Sequence, residues 1–384
     1  MKKTTFIPFL VPLLCAPAFA GGIILPEVAT FDSVSSAGVA NTVNRNDASA
    51  AITNPAGLSA IEDYSYSLGL QYVDAYSAHE GQFGIGPVFN AHGENKAVAP
   101  SLAYAQRIND QWVVGASLHA EGGLGMDYTN GLIGGNLVDS MSIELANLHL
   151  AASYQISPQL TLGGAIVVQH LIMSAGAFDS ILDGVQVNGI SDEDSSTKAS
   201  FILSAMYDIN ASTYLGFNYK HKVDHDITLT ALNRSADLMV TWPSSVEVGI
   251  HHQINDLFAA KALVGYEAWS QYGDASGHKA EDVYSIGAAL EYTEGSWTYQ
   301  SGLRYDSEMV KTSNMTPDLA LGSQWAYGLG AEYTRSNGHR VGLAYEYRAL
   351  GTPDVEYHYP IVGATYQGQV TDNRLQFISF SYAY

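Results

Sequence analysis

Cysteine is almost absent from this chain: there is one residue in 384, Cys15, and it falls in the N-terminal stretch. Lys2 and Lys3, the apolar run Phe6 to Leu14 and Ala18-Phe19-Ala20 have the three-part layout of a secretory signal peptide. Residues 1–20 are therefore expected to be removed, and the mature chain to begin at Gly21. Lipid attachment at Cys15 is the competing reading, but bulky Leu14 stands where a lipidation site wants a small residue. With Cys15 gone, the mature protein has no thiol, which excludes disulfides and thiol catalysis.

Long apolar runs are missing as well. After the signal no run approaches the ~18 residues of a membrane helix, yet hydrophobic residues make up 47% of the chain. Positive charge is scarce: 17 Lys and Arg stand against 38 Asp and Glu, a formal charge of -21. Such a balance excludes nucleic acid and anionic surfaces as partners. Asp192-Glu193-Asp194 reads as solvated loop charge, with a divalent-ion bridge to lipopolysaccharide as the alternative.

Motifs for chemistry are lacking too. Ser117 and His119 share a strand face, but no nucleophile elbow surrounds them. His251 and His252 point to opposite faces, and His119, His170 and His221 have no partner at metal spacing in the sequence. No catalytic residue, metal or cofactor is expected.

What the chain has is alternation. In Tyr64 to Tyr72 every even position is large and apolar or aromatic, and every odd one is small or polar. Side chains of a strand point alternately to its two faces, so this segment has one greasy face and one hydrophilic face. The pattern returns in 284–292, 297–305, 324–334 and 341–348. Trp112, Trp297, Trp325, Tyr292, Tyr333 and Tyr384 cluster beside turns, as in the aromatic girdles of a membrane barrel.

Short turns, such as Asn109-Asp110, Ser157-Pro158 and Asn255-Asp256, alternate with longer segments near 76–97, 123–140, 177–198, 229–238, 271–281, 306–323 and 351–372. Short periplasmic turns, long outer loops and an even total of about fourteen strands describe an all-β, antiparallel transmembrane barrel over 64–384. The last strand ends Phe380-Ser381-Tyr382-Ala383-Tyr384, a signal suited to the barrel-insertion machinery.

Residues 21–63 do not alternate. Ile23, Ile24, Leu25, Val28, Phe31 and Val34 are too dense for a linker, so short helices and turns forming a plug inside the lumen are expected. Asp47 to Ala51 fits a short helix capped by Asn46 or Asp47, and Asn54-Pro55-Ala56-Gly57 fits a stop, with Gly57 free to turn left-handed.

Ile24-Leu25-Pro26-Glu27, Ala37 to Ala40, Asp47-Ala48-Ser49 and Asn54-Pro55-Ala56-Gly57 together resemble the plug, or hatch, of the FadL family of outer-membrane transporters for long-chain fatty acids and other hydrophobic compounds. The likeness continues through Leu145-Ala146-Asn147-Leu148, Pro243 to Gly249, His252 to Asp256, Trp269-Ser270 and Thr316-Pro317-Asp318. It implies an outer-membrane location and a hydrophobic passenger. It also implies a plug gate at Asn54, Pro55, Ala56 and Gly57 lying against a kinked third strand, and lateral exit through the barrel wall. His119, Glu121, Gly122 and Gly123 are the residues of this chain where such a kink fits.

Strand parity sends Leu263, Trp269, Leu375 and Phe377 into the lumen, either to line a ligand pocket or to pack on the plug. It sends Lys220, Lys261, Arg304 and Arg348 there too, either to meet a carboxylate or to pair with acids such as Glu291, Glu332 and Glu346. Three functions are compatible with these residues: a FadL-like transporter, a general diffusion porin, and a surface-recognition barrel. A monomer is expected, since nothing resembles the trimer loop of a porin.

Overall fold

The computed structural model describes residues 28–131, 138–177, 181–182, 185–186, 190–231, 234–271, 280–311, 315, 320–359 and 364–384. The expected signal peptide, Ile24 to Glu27 and Thr316-Pro317-Asp318 lie outside these residues. Among the described residues no helix is long and apolar enough to cross a membrane.

Fifteen strands share the main sheet. Asp354–Tyr359 only flanks the last strand, and the other fourteen close into a ring. In chain order they are β1 (Tyr64–Phe83), β2 (Phe89–Arg107), β3 (Trp112–Gly131), β4 (Val138–Gln155), β5 (Leu160–Ala177), β6 (Ile190–Asn210) and β7 (Thr213–Lys220). There follow β8 (Ser245–Gln253), β9 (Phe258–Glu267), β10 (Val283–Glu294), β11 (Trp297–Asp306), β12 (Gln324–Thr334), β13 (Arg340–Ala349) and β14 (Ala364–Ala383). Closure is antiparallel, with Tyr72 of β1 opposite Ile378 of β14. Closure joins the first and last strands, which would otherwise be free edges in lipid, so their amides are paired without water.

The alternation dictates which side faces lipid. In β1, Leu68 and Leu70 are exposed while Ser65, Ser67 and Gln71 are buried inward. Leu102, Leu118, Leu150, Ile166, Leu203, Val264, Ile286, Leu329, Leu343, Ile378 and Phe380 continue the same apolar belt around the ring. In water so continuous an apolar surface would aggregate, whereas in hydrocarbon it is the solvated face. Aromatic pairs mark both rims: Trp112–Tyr154, Trp297–Tyr333 and Tyr64–Tyr384 beside the short turns, and Tyr305–Trp325 and Tyr266–Tyr284 at the other end. Trp325 and Tyr333, at opposite ends of β12, are eight residues apart. That is ~27 Å along the strand, or about 20 Å across the membrane at the usual tilt of ~35–45°, which fits within the ~25 Å apolar band of an outer-membrane barrel.

Several segments expected to be outer loops are strand instead. β1 continues to Phe83 and β2 resumes at Phe89, while β5 runs to Ala177 and β6 begins at Ile190. Val223–Ala231 and Arg234–Trp242 form a separate outer hairpin. Outside the bilayer both faces meet water, so the alternation fades while the ladder of hydrogen bonds persists. Asp192-Glu193-Asp194 thus lies within β6, where Asp194 accepts from the Thr228 amide at 2.7 Å and Asp192 from the Thr230 amide at 2.5 Å.

Residues 28–63 sit inside the ring as α1 (Phe31–Ser35), a 3-10 turn at Asn41–Val43, α2 (Ala50–Thr53) and a second 3-10 turn at Pro55–Ala60. The helix expected from Asp47 starts later, at Ala50 after Ser49, because the Asp47 carboxylate accepts from the Ser49 amide and holds a turn there.

Candidate functional site

The plug is held from all sides. Arg45 reaches Asp208 of β6 at 2.8 Å and stacks on the Tyr214 ring of β7. On the other side Arg340 of β13 bonds Asp47 at 2.5 Å and Glu332 at 3.3 Å. Lys261 of β9 lies 3.4 Å from Asp32, and Gln300 of β11 donates to the Asp32 carbonyl and to Ser35. Burial pushes the Asp32 carboxyl up, but Lys261, Asn46 and Arg340 outweigh it and hold the group below the usual carboxylate range.

Small wall residues let the plug backbone come close. A Cβ at Gly163 of β5, Gly302 of β11 or Gly328 of β12 would overlap the plug backbone at Ala56, Ser36 and Val34 to Ala37. The Asn54-Pro55-Ala56-Gly57 turn forms as its residues suggest: Pro55 opens the 3-10 turn and the Asn54 carbonyl oxygen of the side chain accepts from the Ala56 amide at 3.1 Å. Gly57 is not left-handed, however. It is glycine because the Asn44 carbonyl occupies the place of its side chain.

The partners of this turn also differ from the expectation. Asn54 donates to the Phe217 carbonyl of β7, the Ala56 amide donates to Ser204 of β6, and Pro55 and Ala56 cover Gly163 of β5. The flanking residues face β3 and β4: Ala51 and Leu58 lie over Gly115, and the Ala51 carbonyl accepts from His149 Nδ1 at 3.1 Å.

β3 has a register irregularity within residues 120–123. Its pairing with β4 steps from Ala120↔Ala146 to Gly123↔Glu144, so Glu121 and Gly122 stand opposite Leu145 in a bulge inside the strand, and Gly123 is back in the ladder. The consequence appears on its other edge. β2 and β3 pair regularly from Arg107↔Val113 to Ser101↔His119, then only once more at Glu94↔Asp127. Residues 95–100 of β2 thus have a partner in β1 but none in β3.

A cavity of about 460 Å³ occupies this break in the wall. It is lined from the lumen by Val73, Ala75, Ile143, Leu145 and Phe377, and from the broken edge by Asn95 to Pro100. Pro100 is the local sequence cue to this break. A proline has no N–H to give a neighbouring strand, and inside a pattern otherwise reading as strand it is a cue to an unpaired edge.

Above the plug the lumen is apolar. Met126, Ile143, Leu171, Met173, Trp269, Val283, Leu321, Leu375 and Phe377 form one buried cluster, roofed by Ile227, Leu229 and Val240 of the outer hairpin. Trp242 and Trp269 meet edge to face at 6.1 Å. The four lumen residues singled out by parity therefore divide. Trp269, Leu375 and Phe377 join this chamber, whereas Leu263 packs on Val39 of the plug.

The lumenal cations all have acidic partners. Lys220 bonds Glu121 at 2.5 Å, Lys261 bonds Glu291 at 2.8 Å, and Arg304 and Arg348 share Asp306, at 2.8 and 2.9 Å. Arg348 also meets Glu346. The network reading of these residues thus describes their contacts, and Glu332 pairs with Arg340. Catalytic geometry is a separate matter: Ser117 has no triad around it among the described residues, and His119 lies against His149 with ring centroids 4.6 Å apart.

A closed ring, an inner plug, a greasy chamber and a wall broken at one strand pair are now in place. The sequence profile of the family described as outer membrane protein transport protein (OMPP1/FadL/TodX) matches residues 11–373. The chain belongs to this family. Outer membrane protein P1 of Haemophilus influenzae is 22% identical over 402 residues, covering 87% of each chain. The long-chain fatty acid transport protein of Escherichia coli K12 is 21% identical over 368 residues, covering 79% of this chain and 82% of its own.

Solved structures agree in fold. A Pseudomonas aeruginosa FadL homologue superposes with a TM-score of 0.81 at 17% identity, covering 95% of this chain and 99% of its own. The toluene transporter TodX of Pseudomonas putida gives 0.65 at 18%, covering 93% and 99%. As a member of the FadL/TodX family the chain is an outer-membrane transport protein for hydrophobic compounds of a Gram-negative bacterium. The family consists of transport channels, not enzymes.

Proposed function

We propose that this protein takes up a hydrophobic small molecule, a long-chain fatty acid or an aromatic hydrocarbon, and releases it sideways into the outer membrane. The passenger enters beneath the outer hairpin, is desolvated in the chamber around Trp269, Leu375 and Phe377, and leaves between β2 and β3. The observation that carries this reading is the missing β2–β3 ladder at residues 95–100, with a cavity of about 460 Å³ in the break. A cavity of that size is in the range of small-molecule sites, and its lining is mostly apolar.

The plug closes the straight route to the periplasm, so a lateral exit keeps an apolar passenger out of water. Asn54, Pro55, Ala56 and Gly57 act as the gate through their neighbours, because Ala51 and Leu58 rest on Gly115 of β3 and Ala51 also meets His149 of β4, on the strand pair that carries the bulge further along. A rearrangement of the turn is felt at His119, Glu121, Gly122 and Gly123. Lys220, Arg304 and Arg348 serve mainly to hold the inner wall, and a passenger carboxylate would have to compete with Glu121, Asp306 and Glu346 for them. The protein works as a monomer among outer-membrane lipid and lipopolysaccharide, after assembly by the barrel-insertion machinery.

Deletion of the gene should slow uptake across a panel of labelled fatty acids and aromatic hydrocarbons, with rescue by the wild-type chain. Uptake unchanged for every compound would refute the transport of this class. A large steady conductance in planar bilayers would instead favour a diffusion porin.

A further inference from the structure

His119, Glu121 and His149 come together at the inner wall, directly below the break between β2 and β3. His119 and Glu121 follow each other on the inward face of β3, and the β3–β4 register sets His149 opposite Ser117, diagonal to His119. One possible ligand atom from each residue lies within 4.8 Å of the others. The cue was invisible along the chain, where His119 and His149 are thirty residues apart. The expectation that His119 has no partner at metal spacing is corrected by this register.

Three imidazole nitrogens here have no hydrogen-bond partner: both of His119 and Nε2 of His149, all buried. A neutral imidazole has one lone pair and one N–H, and leaving buried polar groups bare is unfavourable, so an occupant that accepts one lone pair from each ring is favoured. His149 is already set for one. Its Nδ1 faces the Ala51 carbonyl, which can only accept, so the proton belongs on Nδ1 and the Nε2 lone pair points into the cluster. Glu121 is fixed by Asn147 and by Lys220. A space of about 20 Å³ beside Glu121, His149, Gln169 and Lys220 is enough for roughly one water as a further ligand.

We propose that His119, His149 and Glu121 bind a divalent transition ion of the zinc class, and that the ion ties the plug to the rim of the lateral opening. Two imidazoles and one carboxylate suit zinc, with an open fourth position, and do not suit calcium or magnesium, which want oxygen ligands. Tetrahedral ligation at ~2.0–2.1 Å requires the three donor atoms to close to about 3.3 Å, a movement of side chains alone. The bound ion spans β3 at its bulge and β4, and through His149 and Ala51 it reaches α2, one turn before Asn54. Lys220 is the ion's competitor for Glu121, and Glu247 and Glu267 lie near enough to receive its charge when it is displaced.

The test uses the purified full barrel in detergent, stripped with chelator and titrated with Zn²⁺ against a chelating dye. One ion per chain is expected, with X-ray absorption showing two imidazoles at ~2.0–2.1 Å. His119→Ala and His149→Ala should each weaken binding at least tenfold. Lys220→Met should do the reverse: its affinity should rise and its melting temperature should gain more from zinc than the wild type's. Should a histidine variant fail to fold, the wild-type absorption spectrum and the Lys220→Met comparison still decide. Absence of stoichiometric zinc, binding that survives both histidine substitutions, a spectrum without imidazole, or Lys220→Met weakening the affinity would each overturn the proposal.

Discussion

Gly163 of β5 faces the Pro55–Ala56 peptide of the plug so closely that a Cβ would lie inside it. The wall is bare there because the plug backbone fills the space. Gly163→Val should therefore unseat the Asn54-Pro55-Ala56-Gly57 turn, at an overpacking cost of about 1–3 kcal/mol, while the barrel itself still folds. The variant is expected to raise bilayer conductance and sensitivity to large antibiotics several-fold, with Gly163→Ala intermediate. Wild-type conductance in the valine variant would show that the plug tolerates the displacement.

Asp32 gives the plug a defined response to acid. Because its folded pKa is held below the unfolded value, its contribution is complete above about pH 4 and is lost only as pH falls through the depressed folded value. Hydrogen exchange of residues 31–53, corrected for intrinsic rates, should show the same protection at pH 7 and pH 5 and lose it only below pH 4. Asp32→Asn should remove that acid step and lower protection at neutral pH.

The outer hairpin responds at milder acidity. Burial, aided by Lys198, pushes His225 down to about 4, and its Nε2 meets Gln169 at 3.0 Å. The neutral ring is the docked form, so docking is fully stabilised above the ordinary value of about 6.5 and weakens as pH falls from there through about 4. Spin labels on Thr228 and on β5 should report a broader distance distribution at pH 5 than at pH 7.5. In His225→Gln the two distributions should coincide.

Much of this fold is legible in the sequence because period-two patterning states which face meets lipid, and Leu68-Gly69-Leu70-Gln71-Tyr72 needs nothing else to be read. Parity alone gives a side, not a height. Leu263 and Phe377 both point inward, yet one meets Val39 of the plug and the other lines the exit. Glycines at 122 and 123 announce an irregularity, but its effect falls on the neighbouring strand, at Asn95 to Pro100, and depends on pairing that, Pro100 aside, no local pattern encodes. The His119–His149 contact is hidden for the same reason, since it exists only once β3 and β4 are in register. The outer strand extensions escape notice because water on both faces removes the contrast between them.

The lateral route is tested most directly by closing it. Asn95 and Gly125 face each other across the break: Asn95 Cγ, which marks where the sulfur of a cysteine at 95 would lie, is 3.6 Å from where a Cβ on residue 125 would lie, so a small side-chain rotation brings two sulfurs within bonding reach. In the deletion strain, the variant Asn95→Cys/Gly125→Cys should take up labelled hydrophobic compound normally when reduced and lose at least tenfold of the rate when oxidised, with recovery on adding reductant and no change in either single variant. Undiminished uptake through a fully oxidised, cross-linked wall would contradict lateral exit and place the route through the plug.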